Sequence, residues 1–299
     1  MTKKFTFIDL FSIFHIALKN IECVSACEID KSARITYEYN FNNNKENFFN
    51  KLFFEDITKL KNEFPNHNIL CGFPCQAFSI AYRKFEDERN LFFDVSRIIK
   101  EKKPDVIFLE NVKNLKSHDN KTFETILDTL SHLYFVKYEI LNTYEYNLPQ
   151  NRERIYIVFK NKDSFKKFEF PKKIKLELEI KNILEDDIDK SFFYEKTLYE
   201  KIKNDITKEN VAYQWRRQYV RENKKIFPTL TANMGTHNVP LILTKEIRKI
   251  TPKECFKIQG FPKDYKLPLI SNSQLYKQAN SVSVPVLERI ENIIKALNI

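Results

Sequence analysis

Short apolar runs recur along the first 160 positions, and between them apolar residues return at helical spacing. Residues 5–11, Phe-Thr-Phe-Ile-Asp-Leu-Phe, are rich in β-forming side chains and predict a first, central strand. Ile13, Ile16 and Ala17 predict a helix packed on it. Residues 24–28 predict a second strand ending in Glu28, residues 30–39 a helix, and residues 41–44 a loop. A short third element covers residues 53–57 and carries Asp56 at its end. Ile69, Leu70 and Cys71 predict a fourth strand, and Leu91, Val95, Ile98 and Ile99 a helix. Residues 106–109 are apolar throughout, as in a strand buried on both faces, and Glu110 and Asn111 follow at its end. Phe123, Ile126, Leu127, Leu130 and Leu133 mark an amphipathic helix, residues 155–159 a further strand, and residues 285–297 a closing helix. Strands alternating with helices in this way predict an α/β fold with a doubly wound, mostly parallel sheet.

Ligands of such sheets sit beyond the carboxyl ends of the strands. Glu28, Asp56, Cys75 and Glu110 all fall at or after predicted strand ends, so they are expected to converge on one crevice. Each acid alone reads more simply as a cap or a solvated charge than as a functional group; four functional groups at successive strand ends favour the crevice. Cys75 follows Gly72, Phe73 and Pro74 in a stiff loop after the fourth strand. Taken singly it is either a small buried hydrophobe or a thiol presented for nucleophilic work.

After residue 160 the alternation stops, and residues 162–208 are rich in Lys, Glu, Asp and Ile. Residues 213–225 then interleave basic residues, Arg216, Arg217 and Arg221 among them, with Tyr213, Trp215 and Tyr219. Residues 229–238 are dense in small hydrogen-bonding side chains, including Thr229, Thr231 and Asn233. Basic and aromatic residues grip phosphates and stack, while Thr, Asn and His reach base edges. A solvated amphipathic surface is the competing reading. The expected organisation is a catalytic domain from residues 1–160 with 275–299, and a smaller domain from residues 161–274.

The charge favours a polyanionic partner: 50 Lys and Arg stand against 40 Asp and Glu, a formal net charge of +10. No stretch approaches the ~20 apolar residues of a membrane span, and Met1-Thr2-Lys3-Lys4 runs into the first strand without a signal peptide, so a soluble, cytoplasmic protein is expected. The 5 cysteines are an odd number and lack zinc-site spacing, which argues against a disulfide framework or a structural metal. Glycine is scarce. The chain has 3, where ordinary usage would give roughly twenty.

Taken in order, the landmark segments resemble the C5-cytosine DNA methyltransferase family, over nearly the whole chain. The strand at residues 7–11 is similar to the family's first cofactor motif, Glu28-Ile29 to its ribose-and-adenine pair, and Asp56-Ile57 to the acid that reads the adenine amino group. Gly72-Phe73-Pro74-Cys75-Gln76 resembles the nucleophile loop, Glu110-Asn111-Val112 the Glu-Asn-Val motif, and Gln150-Asn151-Arg152-Glu153-Arg154 the Gln-x-Arg-x-Arg motif. The segment from Arg248 to Pro262 resembles the one that braces the recognition domain, and Tyr276-Lys277-Gln278 with Asn280-Ser281-Val282 the closing motif.

The resemblance implies a Rossmann-like S-adenosylmethionine-dependent methyltransferase with a target-recognition domain. It implies covalent attack by Cys75 on cytosine C6, a protonated Glu110 at N3, Arg154 at O2, and Arg152 in support. Phe11, Glu28, Ile29, Asp56, Ile57, Pro74, Leu91, Asn280 and Ser281 are the implied S-adenosyl-L-methionine contacts; no metal is implied. The cytosine would be flipped out of double-stranded DNA, with Gln76 and Ser79 clamping the gap and Arg216, Arg217, Arg221, Thr229, Thr231 and Asn233 on the DNA. A monomer sharing its site with a cognate restriction endonuclease is the implied setting.

The departures from the family pattern are absent glycines. Phe11 is followed by Ser12-Ile13-Phe14-His15, Gly72 stands alone where a pair is usual, residues 82–85, 89–91 and 278–280 each lack a glycine, and Gly235-Thr236-His237 is abbreviated. Either the gene spells glycine with a reassigned stop codon, or the cofactor loop has decayed and the chain is a catalytically impaired DNA-binding relative. An RNA-directed enzyme of the same fold is a further alternative, against which the Thr-rich basic segment favours duplex DNA.

Overall fold

The computed structural model describes residues 3–8, 13–18, 21–41, 51–61, 63–72, 91–116, 121–161, 168–216, 219–223, 225–235 and 238–296. Phe11, Pro74, Cys75, Gln76, Ser79 and Arg217 therefore lie outside the described residues. The chain forms two compact units. The first comprises Met1–Leu141, Glu153–Lys172 and Val286–Ile299, and the second Asn142–Arg152 and Lys173–Pro285.

The first unit is built on a seven-stranded sheet. Its strands are β1 (Lys4–Ile8), β2 (Glu22–Cys27), β3 (Phe53–Phe54), β4 (Ile69–Gly72), β5 (Val106–Val112), β6 (Tyr134–Asn142) and β7 (Glu153–Asn161), in the order β3-β2-β1-β4-β5-β7-β6. Strands β1 to β5 pair in parallel, and β7 runs antiparallel to β5. The α/β, mostly parallel architecture expected from the alternation is the one observed. Helices α1 (Ile13–Ala17), α2 (Lys31–Phe41), α3 (Leu91–Lys102) and α4 (Lys121–Ser131) connect the strands.

Alternate residues of the strands supply the two faces. Leu70, Ile107, Leu109, Ile155, Ile157 and Phe159 pack with Val95, Ile98 and Ile99 of α3 and Phe123, Ile126 and Leu130 of α4 in one core. Each such side chain contributes on the order of 1.5–3 kcal/mol on burial. On the opposite face, Ile69, Cys71 and Phe108 line a small apolar cavity with Leu287, Ile290 and Ile294 of α8 (Val284–Ala296). The helix expected over residues 285–297 is thus α8. Leu133, expected on the α4 face, lies past its end and is exposed.

Strand β6 escaped the hydrophobic pattern. It is the sheet's last strand, and Phe135, Tyr138 and Ile140 are exposed on it, so no clean alternation marks it. The pairing with β7 also extends β5 through Val112, which puts Glu110 inside the strand rather than after it.

The second unit holds a four-stranded antiparallel sheet, β11-β10-β8-β9, from β8 (Ala212–Arg216), β9 (Tyr219–Glu222), β10 (Leu241–Leu243) and β11 (Ile247–Lys249). Ile202 of α5 (Lys196–Ile202) packs with Ile206, Tyr213, Leu241 and Ile247 in its core. Helix α6 (Pro252–Ile258) begins with a capping box between Thr251 and Glu254, and α7 (Asn272–Gln278) with one between Ser271 and Gln274. Gly260 ends α6 at φ +84, where a Cβ would stand 2.5 Å from Pro285 Cδ, so both conformation and space require glycine. Among the described residues no helix is long and apolar enough to cross a membrane.

Candidate active site and nucleic-acid interface

Parallel pairing aligns the strand ends. The register sets Phe54 against Cys27, Cys27 against Ile8, and Gly72 against Leu109. Glu28 directly follows Cys27 and Glu110 directly follows Leu109, so both carboxylates emerge at one carboxyl edge of the sheet.

Glu28 is 4% exposed, and its Oε1 accepts the backbone N–H of Asp30 at 2.7 Å. Beside it Ile29 is 71% exposed, a large apolar side chain left in solvent. A buried carboxylate next to an exposed aliphatic face suits a nucleoside: the first accepts from a ribose diol and the second covers a purine ring. Asp56 Oδ1 accepts from the Thr58 hydroxyl at 2.7 Å and the Thr58 N–H at 3.0 Å. The Thr58 hydroxyl holds the Asp56 carboxyl below its ordinary range, against a smaller opposing effect of burial. Ile57 is buried in the core of the first unit, and Leu91 opens α3.

Glu110 and Arg154 come together on one face. Glu110 pairs with Tyr156 across β5 and β7, so Arg154 is its diagonal neighbour. Arg154 Nε lies 3.3 Å from Glu110 Oε1, with the side chains 13% and 5% exposed. Arg154 Nη1 also donates to the Glu153 carbonyl at 2.8 Å. Asn111, 1% exposed, caps its own neighbour: its Oδ1 accepts from the Val112 N–H, and its Nδ2 has no partner among the described residues.

Arg152 does not join that pair. It belongs to the second unit, where Nη1 donates to the Leu230 carbonyl at 3.0 Å and to Asn280 Oδ1 at 3.2 Å. The side-chain carbonyl of Asn280 is therefore engaged within that unit. Ser281 is 1% exposed, with an Oγ that has no partner among the described residues.

In the second unit, β8, β9 and residues 226–231 wall a cleft of about 370 Å³. Arg221, Thr229 and Thr231 line it. Thr229 Oγ1 donates to the Asn151 carbonyl at 2.7 Å. Arg216 ends β8, and Asn233 is exposed in the turn Ala232–Gly235, away from the cleft lining. Gln214, not singled out from sequence, lines the cleft and is 6% exposed. Its signal lies in tertiary structure, because nothing in the run from Tyr213 to Arg216 marks one residue as lacking a partner.

Residues 5–296 match the family model described as C-5 cytosine-specific DNA methylase. The chain is 51% identical over 297 aligned positions to the type II methyltransferase M.Bsp6I of Bacillus sp. (strain RFL6), covering 92% of both chains. It is 38% identical to the type II methyltransferase M.HhaI of Haemophilus parahaemolyticus, covering 98% of this chain and 95% of that one. The latter alignment spans 323 positions against the 299 residues of this chain, so at least 24 positions have no residue here. In fold, the chain is similar to a mutant of Spodoptera frugiperda DNMT2, with a TM-score of 0.76 at 19% identity over 98% of this chain and 100% of that one. With a family match across nearly its whole length and close relatives covering more than nine-tenths of it, this chain belongs to the C-5 cytosine-specific DNA methylase family and is a DNA (cytosine-5)-methyltransferase.

Proposed function

We propose that this enzyme methylates C5 of a flipped-out cytosine in a specific duplex DNA sequence, through a covalent bond between Cys75 and C6, with S-adenosyl-L-methionine as donor. The observation that carries the reading is the Glu110–Arg154 pair at the carboxyl edge of the parallel sheet. Cytosine C5 is a weak nucleophile until a thiolate adds at C6. Addition pushes electron density toward N3 and O2, where Glu110 as an acid and Arg154 as a cation stabilise it. An arginine drawn from Glu110 toward O2 leaves a buried carboxylate, which favours taking up the proton that N3 needs. The donor supplies an electrophilic methyl group. Once C5 is methylated, its proton leaves to a base and the Cys75 thiolate is expelled, restoring the ring and the enzyme.

Glu28 and Ile29 suit the ribose and purine of the donor, with Asp56 and Ile57 on the neighbouring strand end. Phe11, Pro74, Leu91, Asn280 and Ser281 complete the proposed contacts. Arg152 acts as a brace through Leu230 and Asn280. Gln76 and Ser79 fill or clamp the gap left by the flipped base, while Arg216, Arg217, Arg221, Thr229, Thr231 and Asn233 contact DNA. Functionally, residues 1–160 with 275–299 form the catalytic part and residues 161–274 the recognition part of a monomeric cytoplasmic enzyme. Its setting is restriction–modification, where a cognate endonuclease shares its site.

Transfer of a labelled methyl group to duplex DNA and to tRNA, with a Cys75→Ser control, tests this. Label in DNA that vanishes in the control is expected. Label confined to tRNA, or surviving in the control, overturns the reading.

A further inference from the structure

We propose that Gln214 and Arg221 are specificity-determining residues that read the purine edges of two adjacent base pairs, Gln214 an adenine and Arg221 a guanine. This rests on the reading of the chain as a duplex-DNA enzyme. Gln214 and Arg221 are opposite one another in the antiparallel β8–β9 pair, so their side chains leave the same face as neighbours. Both line the 370 Å³ cleft.

Gln214 is more than nine-tenths buried, yet its amide makes no hydrogen bond among the described residues. The polar end of the amide is not sealed in the interior but opens on the cleft, where its donor and acceptor are available to a ligand. Arg221 likewise has no ion pair among the described residues, and the adjacent carboxylate of Glu222 is held by Lys208 at 3.0 and 3.2 Å. The wall thus presents an open amide beside an open guanidinium. The Thr231 hydroxyl, also unpaired among the described residues, lies on the same cleft.

The amide of glutamine matches the N6 donor and N7 acceptor of adenine, and the arginine fork matches the O6 and N7 acceptors of guanine. Opposed strand positions stand about 4.5–5.5 Å apart at Cβ, and successive base pairs about 3.4 Å. Two long side chains converging slightly span that step.

The test is sequence mapping of 5-methylcytosine on a DNA library with randomised flanks, using the enzyme and its Gln214→Ala, Gln214→Glu and Arg221→Ala variants, each checked for native melting. Gln214→Ala should relax discrimination about 5- to 150-fold at one position that prefers adenine, from the ~1–3 kcal/mol of a bidentate base contact. Gln214→Glu should turn that preference toward cytosine, whose N4 donates. Arg221→Ala should relax an adjacent guanine. Unchanged base preferences in folded variants overturn the assignment while leaving the enzyme reading intact. If Gln214→Ala fails to fold, Gln214→Glu decides alone. Absence of methylated DNA from the parent enzyme would instead refute the underlying reading.

A second inference rests on an independent observation. We infer that the gene contains in-frame triplets, ordinarily stops, that the host decodes as glycine at the motif gaps. The 3 glycines, the segments that resemble family motifs without the glycine those motifs carry, and the 24 or more alignment positions without a residue here agree on this. Sequencing the gene and weighing the protein purified from its host test this together. Stop triplets at the gaps and a mass heavier by a whole number of glycine residues are expected; an uninterrupted frame and a mass equal to this sequence overturn it.

Discussion

Arg154 Nε sits 3.3 Å from Glu110 Oε1 across two strands that run in opposite directions, and both side chains are largely withdrawn from water. The contact is an ion pair without an aligned hydrogen bond, and Nη1 of the arginine is turned to the Glu153 carbonyl. Its two partners are not equivalent when removed. Arg154→Ala takes the cation from the more buried carboxylate, and breaking a buried pair in this way costs up to about 3–5 kcal/mol; the partial exposure of Arg154 places the loss toward or below the lower end. Glu110→Gln keeps shape and an acceptor, so stability should change little while methyl transfer falls about 10²–10³-fold. Urea melts and single-turnover transfer rates on both variants check this. Full activity in Glu110→Gln would remove its acid from the mechanism.

Arg248 and Glu254 provide the contrasting case, a pair held for structure. Arg248 Nη2 and Nη1 donate to the two carboxylate oxygens at 2.7 and 2.8 Å, and neither side chain has more than 1% exposure. The same carboxylate takes the Thr251 N–H at 2.7 Å and the Glu185 N–H at 2.9 Å. Arg248→Ala should therefore destabilise the second unit by about 3–5 kcal/mol, and the double variant Arg248→Met, Glu254→Leu should recover part of that. Denaturant melts decide it. A single variant within about 0.5 kcal/mol of the parent would mean that water or a neighbour replaces the arginine.

The parallel half of the fold was legible because strands buried on both faces are continuously apolar, as in residues 106–109, and their helices show one greasy stripe. The acids were legible for the same reason: Glu28 and Glu110 break an apolar run where it stops, although β5 itself continues through Val112. Strand direction was not legible, since an apolar run such as Ile155–Phe159 reads alike whether it pairs parallel or antiparallel. The sheet of the second unit was hidden by strands of three to five residues, too short to establish a period. The resemblance gave Arg154 and Arg152 of the Gln-x-Arg-x-Arg run different roles, but not the partners of either. Folding supplies those, sending Arg152 to Leu230 and Asn280 and Arg154 to Glu110.

His67 predicts a pH dependence of stability. It is 6% exposed, its Nδ1 lies 2.9 Å from the Pro65 carbonyl, and its Nε2 has no partner among the described residues. Burial lowers its affinity for a proton below the ordinary value of 6.5, helped by the charge of Lys102 and opposed by the Pro65 carbonyl. The unfolded chain then binds more protons than the folded one below about pH 6.5, so stability falls as pH drops through that value and levels off below the folded value. Asp56 and Glu185, both lowered, act in a separate and more acidic window below 4.5. Melting between pH 7 and pH 5 should show a decline that His67→Gln flattens. An equal slope in that variant would assign the decline elsewhere.

Thiol reactivity should single out one cysteine. Cys23, Cys27, Cys71 and Cys255 are free thiols buried in the protein. Burial pushes Cys71 and Cys255 well above the ordinary thiol range, with Cys23 and Glu254 respectively adding to the shift. Such thiols stay protonated and out of reach near neutral pH, and protonated thiols are poor nucleophiles. Cys75, as the proposed nucleophile, must behave oppositely. Native protein treated with a charged alkylating reagent at pH 8 should therefore take up one label quickly, on Cys75, with the other four cysteines labelled only on unfolding. The Cys75→Ser variant should take up none on that timescale, and S-adenosylmethionine with substrate DNA should protect the parent. A parent chain in which Cys75 reacts no faster than Cys71 would show that its thiol is buried as well, and would take the covalent step away from it.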